Sequence, residues 1–122
     1  MRRSRTPGGS SPSQRIAVRR GEIWLAALDP TIGAEIQKTR PCVVVSPPEM
    51  HDLLRTVTVA PMTTGGHPAP YRIPLRFHGK DGLILLDQMR TLDKQRLVRR
   101  LGVVSGATLR LTLATLREMF EE

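Results

Sequence analysis

Lys38-Thr39-Arg40-Pro41-Cys42-Val43-Val44-Val45-Ser46 sets a basic residue and a proline directly before an unbroken apolar run. Such a run, rich in β-branched residues and stopped by Pro47-Pro48, reads as a strand apolar on both faces and therefore central in its sheet. Pro41 restricts the backbone before it toward extended geometry. Arg40 is then a cation held at the mouth of a rigid element.

Upstream, Glu22 to Leu28 alternates Ile23, Leu25 and Ala27 against Trp24, Ala26 and Leu28, a first strand. Asp29-Pro30 ends it, and the residues through Thr39 form a loop carrying Gly33, Glu35, Gln37 and Lys38. Pro41 to Ser46 is the second strand. Downstream, Glu49 to Arg55 reads as a connection and Thr56 to Pro61 as a third strand, followed by the breaker-rich turn region Met62 to Pro70. Tyr71 to Arg76 alternates as a half-buried strand, which Pro74 confines to a sheet edge. Asp81-Gly82 reads as a hairpin turn, Leu83 to Asp87 as a buried strand, and Gln88 to Leu92 as its continuation or a bulged departure. Asp93 caps a short turn through Arg96, and Val98 to Val104 is the last strand. Ser105 or Thr108 then caps a helix with Leu109, Leu113, Leu116 and Phe120 on one face. Glu121-Glu122 sit at the unfavourable end of its dipole, where fraying is expected. About six short strands and one terminal helix predict a mainly β domain, its antiparallel strands bent into a small half-open barrel.

The 122 residues suffice for one domain with a small core, and at 3% aromatics that core must be aliphatic. The formal charge of +8 is uneven: residues 1–20 hold six Arg and no acid, while residues 21–122 hold 13 Lys and Arg against 11 acids, a net +2. The Arg-, Ser-, Pro- and Gly-rich start has little to bury and reads as a disordered basic tail, residues 1–18, ahead of a folded domain over 19–122. Such a tail adds non-specific attraction to nucleic acid or is only a solvated extension. No stretch reaches the roughly 18 apolar residues of a membrane span, and no apolar segment follows the Arg-rich start, so neither membrane nor secretion is expected. A single cysteine makes no internal disulfide and fits a cytoplasmic protein.

His51, His67, His78 and Cys42 lack the spacing of zinc ligands, and no phosphate loop or dinucleotide fingerprint is present. No metal and no cofactor are expected. Cys42 lies inside the apolar run, where packing suits it better than nucleophilic chemistry, and no Ser-His-Asp set is legible. Two polar residues at strand ends remain. Arg40 precedes the second strand, and Thr63 follows the third, after Ala60-Pro61-Met62. If those strands are antiparallel neighbours, the start of one lies beside the end of the other and the two side chains converge. A guanidinium and a hydroxyl so placed suit a phosphate. The pattern also allows Arg40 to pair with Glu35 and Thr63 to cap a turn.

Four blocks in order resemble the MazF/PemK toxin family: Arg20 to Trp24, Asp29 to Ser46, Val57 to Thr64 and Leu85 to Lys94. The likeness runs from Arg19 to the C-terminus. It implies an SH3-like barrel with a C-terminal helix, assembled as a homodimer. It also implies a ribosome-independent, metal-independent, sequence-specific endoribonuclease, the toxin of a type II toxin–antitoxin pair. Such an enzyme cleaves single-stranded mRNA in the cytoplasm to a 2′,3′-cyclic phosphate and a 5′-hydroxyl, arresting growth. Family catalytic residues map onto Arg40 and Thr63, and substrate contacts onto Glu35, Gln37 and Gln88. Lys38 and His67 join them as substrate-binding candidates, and Glu35 and His67 are the candidate general bases. The implied partner is an acidic antitoxin laid over the RNA groove. Two rival functions share the architecture: a relative of the gyrase-poisoning CcdB toxins, with no use for an Arg40–Thr63 pair, and a non-catalytic nucleic-acid-binding barrel. The body's charge of +2 speaks against the latter.

Overall fold

The computed structural model describes residues 17–28 and 38–122. Its elements are β1 (Glu22–Ala27), β2 (Thr39–Val44), α1 (Pro48–Leu53), β3 (Thr56–Thr64), β4 (Arg72–Phe77), β5 (Lys80–Leu85), β6 (Arg90–Asp93), β7 (Leu97–Val103) and α2 (Gly106–Met119). Two 3-10 turns, Leu86–Gln88 and Lys94–Arg96, flank β6.

β2 is the axis of the core. Cys42 and Val44 pack with Trp24, Val57 and Val59 on one side, while Val43 and Val45 pack with Ile23, Ala60 and Ile84 on the other. With side chains waiting on both faces, no position in the run is left for a solvent-facing residue. β2 lies between β1 and β3, antiparallel to each. Packing reaches back to Val18, 4% exposed, whose carbonyl accepts from His51 Nδ1 at 3.1 Å.

The sheet runs β4-β5-β3-β2-β1-β7, with β6 also on β3. It is not closed into a barrel, in keeping with the half-open, bent antiparallel sheet expected: β4 and β7 end the strand order. Curling still brings these edges together through side chains. The Phe77 ring of β4 lies against Gly102 of β7. Ile23, Leu75, Phe77 and Val103 line a pocket of about 270 Å³ beside that contact. The edge position expected of the Pro74 strand is the one β4 occupies, where a missing N–H costs no ladder bond.

β3 runs past Pro61 to Thr64, three residues beyond the expected end. Two strands serve its other edge in succession: β6 pairs with Thr56–Val59 and β5 with Met62–Thr64. Val59 faces Arg90 and Met62 faces Ile84, so three steps along β3 match six along the returning chain. The three-residue 3-10 turn Leu86–Gln88 takes up the difference. Pro61 falls at this joint.

Asp81-Gly82 is not the hairpin turn. β4 and β5 are joined at His78-Gly79, with φ of 51° and 77°, and Phe77 faces Lys80 across the turn. Two successive positive φ values match the twist of the flanking strands, and His78 stacks on Phe77 with centroids 3.8 Å apart. Lys80, Asp81 and Gly82 thereby become strand residues.

The stretch expected to be a plain connection forms α1, with a proline at its first turn where the lost N–H has no partner to miss. In α2, the Ser105 side chain accepts from the Thr108 N–H at 3.1 Å, the expected cap. The helix is anchored through Leu109, Thr112, Leu116 and Met119; Phe120 follows its last residue and is 72% exposed. Thr112 is fully buried because its hydroxyl donates to the Thr108 carbonyl at 2.8 Å. No helix among the described residues is long and apolar enough to cross a membrane.

Candidate active site

The β2–β3 ladder pairs Val44 with Val59, Val43 with Ala60 and Cys42 with Pro61. Carried two residues further, the same register sets Arg40 opposite Thr63. Both line one pocket of about 100 Å³, together with Pro41, Met62, Thr64, Leu75, Phe77, Lys80 and Gly82. The convergence expected of antiparallel neighbours is therefore present.

Arg40 is exposed and sits opposite Ala26 of β1 on its other side. Among the described residues its guanidinium has no hydrogen-bond or ion-pair partner; the ion pairs join Arg72 to Asp87, Arg76 to Asp81 and Arg100 to Glu22. Thr63 is half-buried, and its hydroxyl donates only a long bond, 3.4 Å, to the Thr64 carbonyl. A cation and a hydroxyl without strong partners among the described residues are groups suited to an anion.

The other candidates are spread more widely. Lys38 is exposed at φ 67°, and its carbonyl accepts from the Leu28 N–H at 2.8 Å, pinning together the two ends of the intervening segment. Glu35 and Gln37 lie outside the described residues. Gln88 ends the 3-10 turn on the far edge of β3, half-buried and away from the pocket lining. His67 is exposed in the connection between β3 and β4 and does not line the pocket.

Lys80, Gly82 and Phe77 line the pocket and escaped the sequence reading, because a turn assigned to Asp81-Gly82 removes all three from the strand pair that carries them. The signal was His78-Gly79, a glycine preceded by a residue able to take positive φ. The described lining supplies two cations, two hydroxyls and apolar surface, and no carboxylate or imidazole.

Three other reactive groups are committed to structure. Burial pushes the Cys42 thiol up to about 12, with nearby Arg90 opposing the shift. Ser46 bonds His51 Nε2, but the two are 5% and 1% exposed, and Ser46 Oγ also accepts from the Thr58 N–H at 2.9 Å. With Val18 on the other ring nitrogen, this pair ties the chain before β1 to β3. Glu22, 7% exposed, accepts from Arg19 N–H at 2.9 Å and Trp24 Nε1 at 3.0 Å and pairs with Arg100 at 3.0 Å. Among the described residues, no three His, Cys, Asp or Glu side chains gather where a metal could be held.

The sequence profile of PemK-like, MazF-like toxins of type II toxin–antitoxin systems matches residues 19–120. The chain belongs to this toxin family. Endoribonuclease PemK of Escherichia coli is 42% identical over 79 residues, 61% of this chain and 59% of that protein, so the match spans less than two thirds of its length. Endoribonuclease MazF of Staphylococcus epidermidis is 38% identical over 96 residues, 72% of this chain and 78% of that one. MazF of Deinococcus radiodurans has the same fold, with a TM-score of 0.75 at 24% identity over 85% of this chain and 96% of the other. So does a mycobacterial endoribonuclease in complex with its cognate antitoxin, with a TM-score of 0.70 at 22% identity over 84% and 93%. In this PemK/MazF-family toxin, the Arg40–Thr63 pocket lies at the end of the central β2–β3 pair, opening onto β5 and β4.

Proposed function

We propose that this toxin is an endoribonuclease that cuts single-stranded RNA at the Arg40–Thr63 pocket. The observation that carries the reading is Arg40, whose guanidinium has no partner among the described residues, lining one pocket with Thr63. The endoribonuclease names of its relatives support it.

RNA brings its own nucleophile. The 2′-oxygen attacks the adjacent phosphorus and loses its proton, the bond from phosphorus to the 5′-oxygen breaks, and the leaving oxygen takes a proton. The products are a 2′,3′-cyclic phosphate and a 5′-hydroxyl, and no step needs a metal. Arg40 stabilises the charge that builds at phosphorus, a preorganised electrostatic role. A guanidinium holds its proton too tightly to be an efficient proton donor near neutral pH. Thr63 donates to a non-bridging oxygen. Glu35 or His67 takes the 2′-hydroxyl proton, and Gln37, Lys38 and Gln88 contribute substrate contacts. Bases are read splayed from a single strand, because a folded A-form helix hides its major-groove edges.

The cognate partner is an acidic antitoxin segment covering the pocket, supported by the antitoxin complex among the structural relatives. A cytoplasmic homodimer completes the reading; Val98, Val103, Leu111 and Phe120, exposed by 49–72%, offer apolar surface for it. Light scattering at micromolar concentration tests this, and a strict monomer would rule it out.

The decisive test uses a fluorescent oligodeoxynucleotide with a single ribonucleotide at the cut site. Arg40→Ala, shown folded by circular dichroism, should lose about 100-fold or more in kcat, while the unaltered toxin keeps its activity in EDTA. Full activity in folded Arg40→Ala would sink the assignment.

A further inference from the structure

We infer that Lys80 is a second phosphate-binding residue of this site, holding an RNA phosphodiester other than the one cleaved. The inference rests on the reading of the pocket as an RNA site and adds a contact to it. Lys80 lines the same pocket as Arg40, at the first residue of β5. Among the described residues no acid pairs with it, and the adjacent Asp81 is taken by Arg76, which faces it across the hairpin at 2.8 Å.

Placement points to a different phosphate. Arg40 is on β2 and Lys80 on β5, with β3 between them. Two strand spacings, about 10 Å, separate their backbones across the sheet, and Lys80 lies a further three residues along β5 from Leu83, the residue level with Thr63. The lining between them includes Met62, Leu75 and Phe77, apolar surface that suits sugar or base better than a second anion. A nucleic-acid strand crossing from β2 toward β4 would therefore meet cation, apolar floor, cation. The tight His78-Gly79 turn and the Phe77–Lys80 pairing hold the ammonium's base on a strand rather than a loose loop, so its position is set before substrate arrives.

The test measures binding of a cleavage-blocked oligonucleotide, with a 2′-deoxy unit at the cut site, between 50 and 200 mM salt, values in the range of about 10³–10⁵ affinity loss for multi-phosphate binders. Lys80→Gln should weaken binding about tenfold at the low end and flatten the log–log salt slope by about 0.7, the share of one phosphate on a single strand. Lys80→Arg should restore both. In cleavage assays the loss from Lys80→Gln should fall mainly on KM, that from Arg40→Ala on kcat. An unchanged salt slope in Lys80→Gln overturns the inference. So does an equal change in Arg76→Gln, since the effect would then belong to the net charge of the face. If folded Arg40→Ala cleaves normally, the site reading itself fails; if Arg40→Ala is dead while the Lys80→Gln slope is unchanged, only the role of Lys80 fails.

Discussion

Gly82 of β5 presses against Thr63 of β3 so closely that a Cβ at position 82 would overlap the Thr63 carbonyl oxygen. Gly82 is not among the glycines at positive φ. Room, not dihedral freedom, is what position 82 requires. The glycine lets the strand carrying Lys80 approach the strand carrying Thr63, and both residues line one pocket.

Gly82→Ala should therefore push β5 away from Thr63. We expect a stability loss of about 1–3 kcal/mol, read by denaturant melts, together with a drop in kcat larger than that of Gly65→Ala. Position 65 has open space around it and φ of 69°, so alanine there strains the backbone without moving Thr63. Equal kcat in the two variants would show that the close approach does not position the site.

Cys42 links stability to alkaline pH. Its folded pKa of about 12 lies above its ordinary 9.0, raised by burial. Between these values the unfolded chain releases a proton that the folded chain keeps. Unfolding is thus favoured as pH rises, by up to about 1.4 kcal/mol per unit for this one group. Melts of the native protein from pH 9 upward should show this decline, and Cys42→Ala should be flatter over the same window, its cavity cost appearing at every pH. The native thiol should also resist alkylation at pH 8 until denaturant is added.

Glu22 should be a structural carboxylate. Removing it strips a partner from the Arg19 N–H, the Trp24 indole and Arg100 together. Glu22→Ala is expected to cost about 2–4 kcal/mol. Glu22→Gln should recover the part that depends on accepting hydrogen bonds rather than on charge. A loss under 0.5 kcal/mol, about the noise of a surface substitution, would contradict the assignment.

Ser46 and His51 have the residue types of a nucleophile and its base, and their burial argues against that use. Ser46→Ala should lower stability by about 1–3 kcal/mol, because the Thr58 N–H and the imidazole both lose a partner. The kcat for RNA should not change. A Ser46→Ala variant that folds but fails to cleave would move the chemistry away from the Arg40 pocket.

Much of this was legible before any tertiary structure. The central strand followed from Cys42 to Val45, because a strand with two buried faces leaves no room for a polar residue. The edge strand followed from Pro74 and the start of α2 from Ser105, each through local backbone chemistry. What failed were judgements on which neighbour meets which. Asp81-Gly82 has the composition of a turn but serves as a point of close approach, and nothing within the chain's local pattern distinguishes the two. Phe120 continues the helical spacing but falls after the last helical residue.

The sequence by itself determined that an arginine stands at the entry to a buried strand, since burial and proline geometry act over a few residues. Only the tertiary structure decided that β3 continues past Pro61, that Thr63 meets Arg40, and that Lys80 and Gly82 complete the pocket. Those pairings depend on strand register and on a three-residue turn that shifts it, and register is settled by packing between segments distant in the chain.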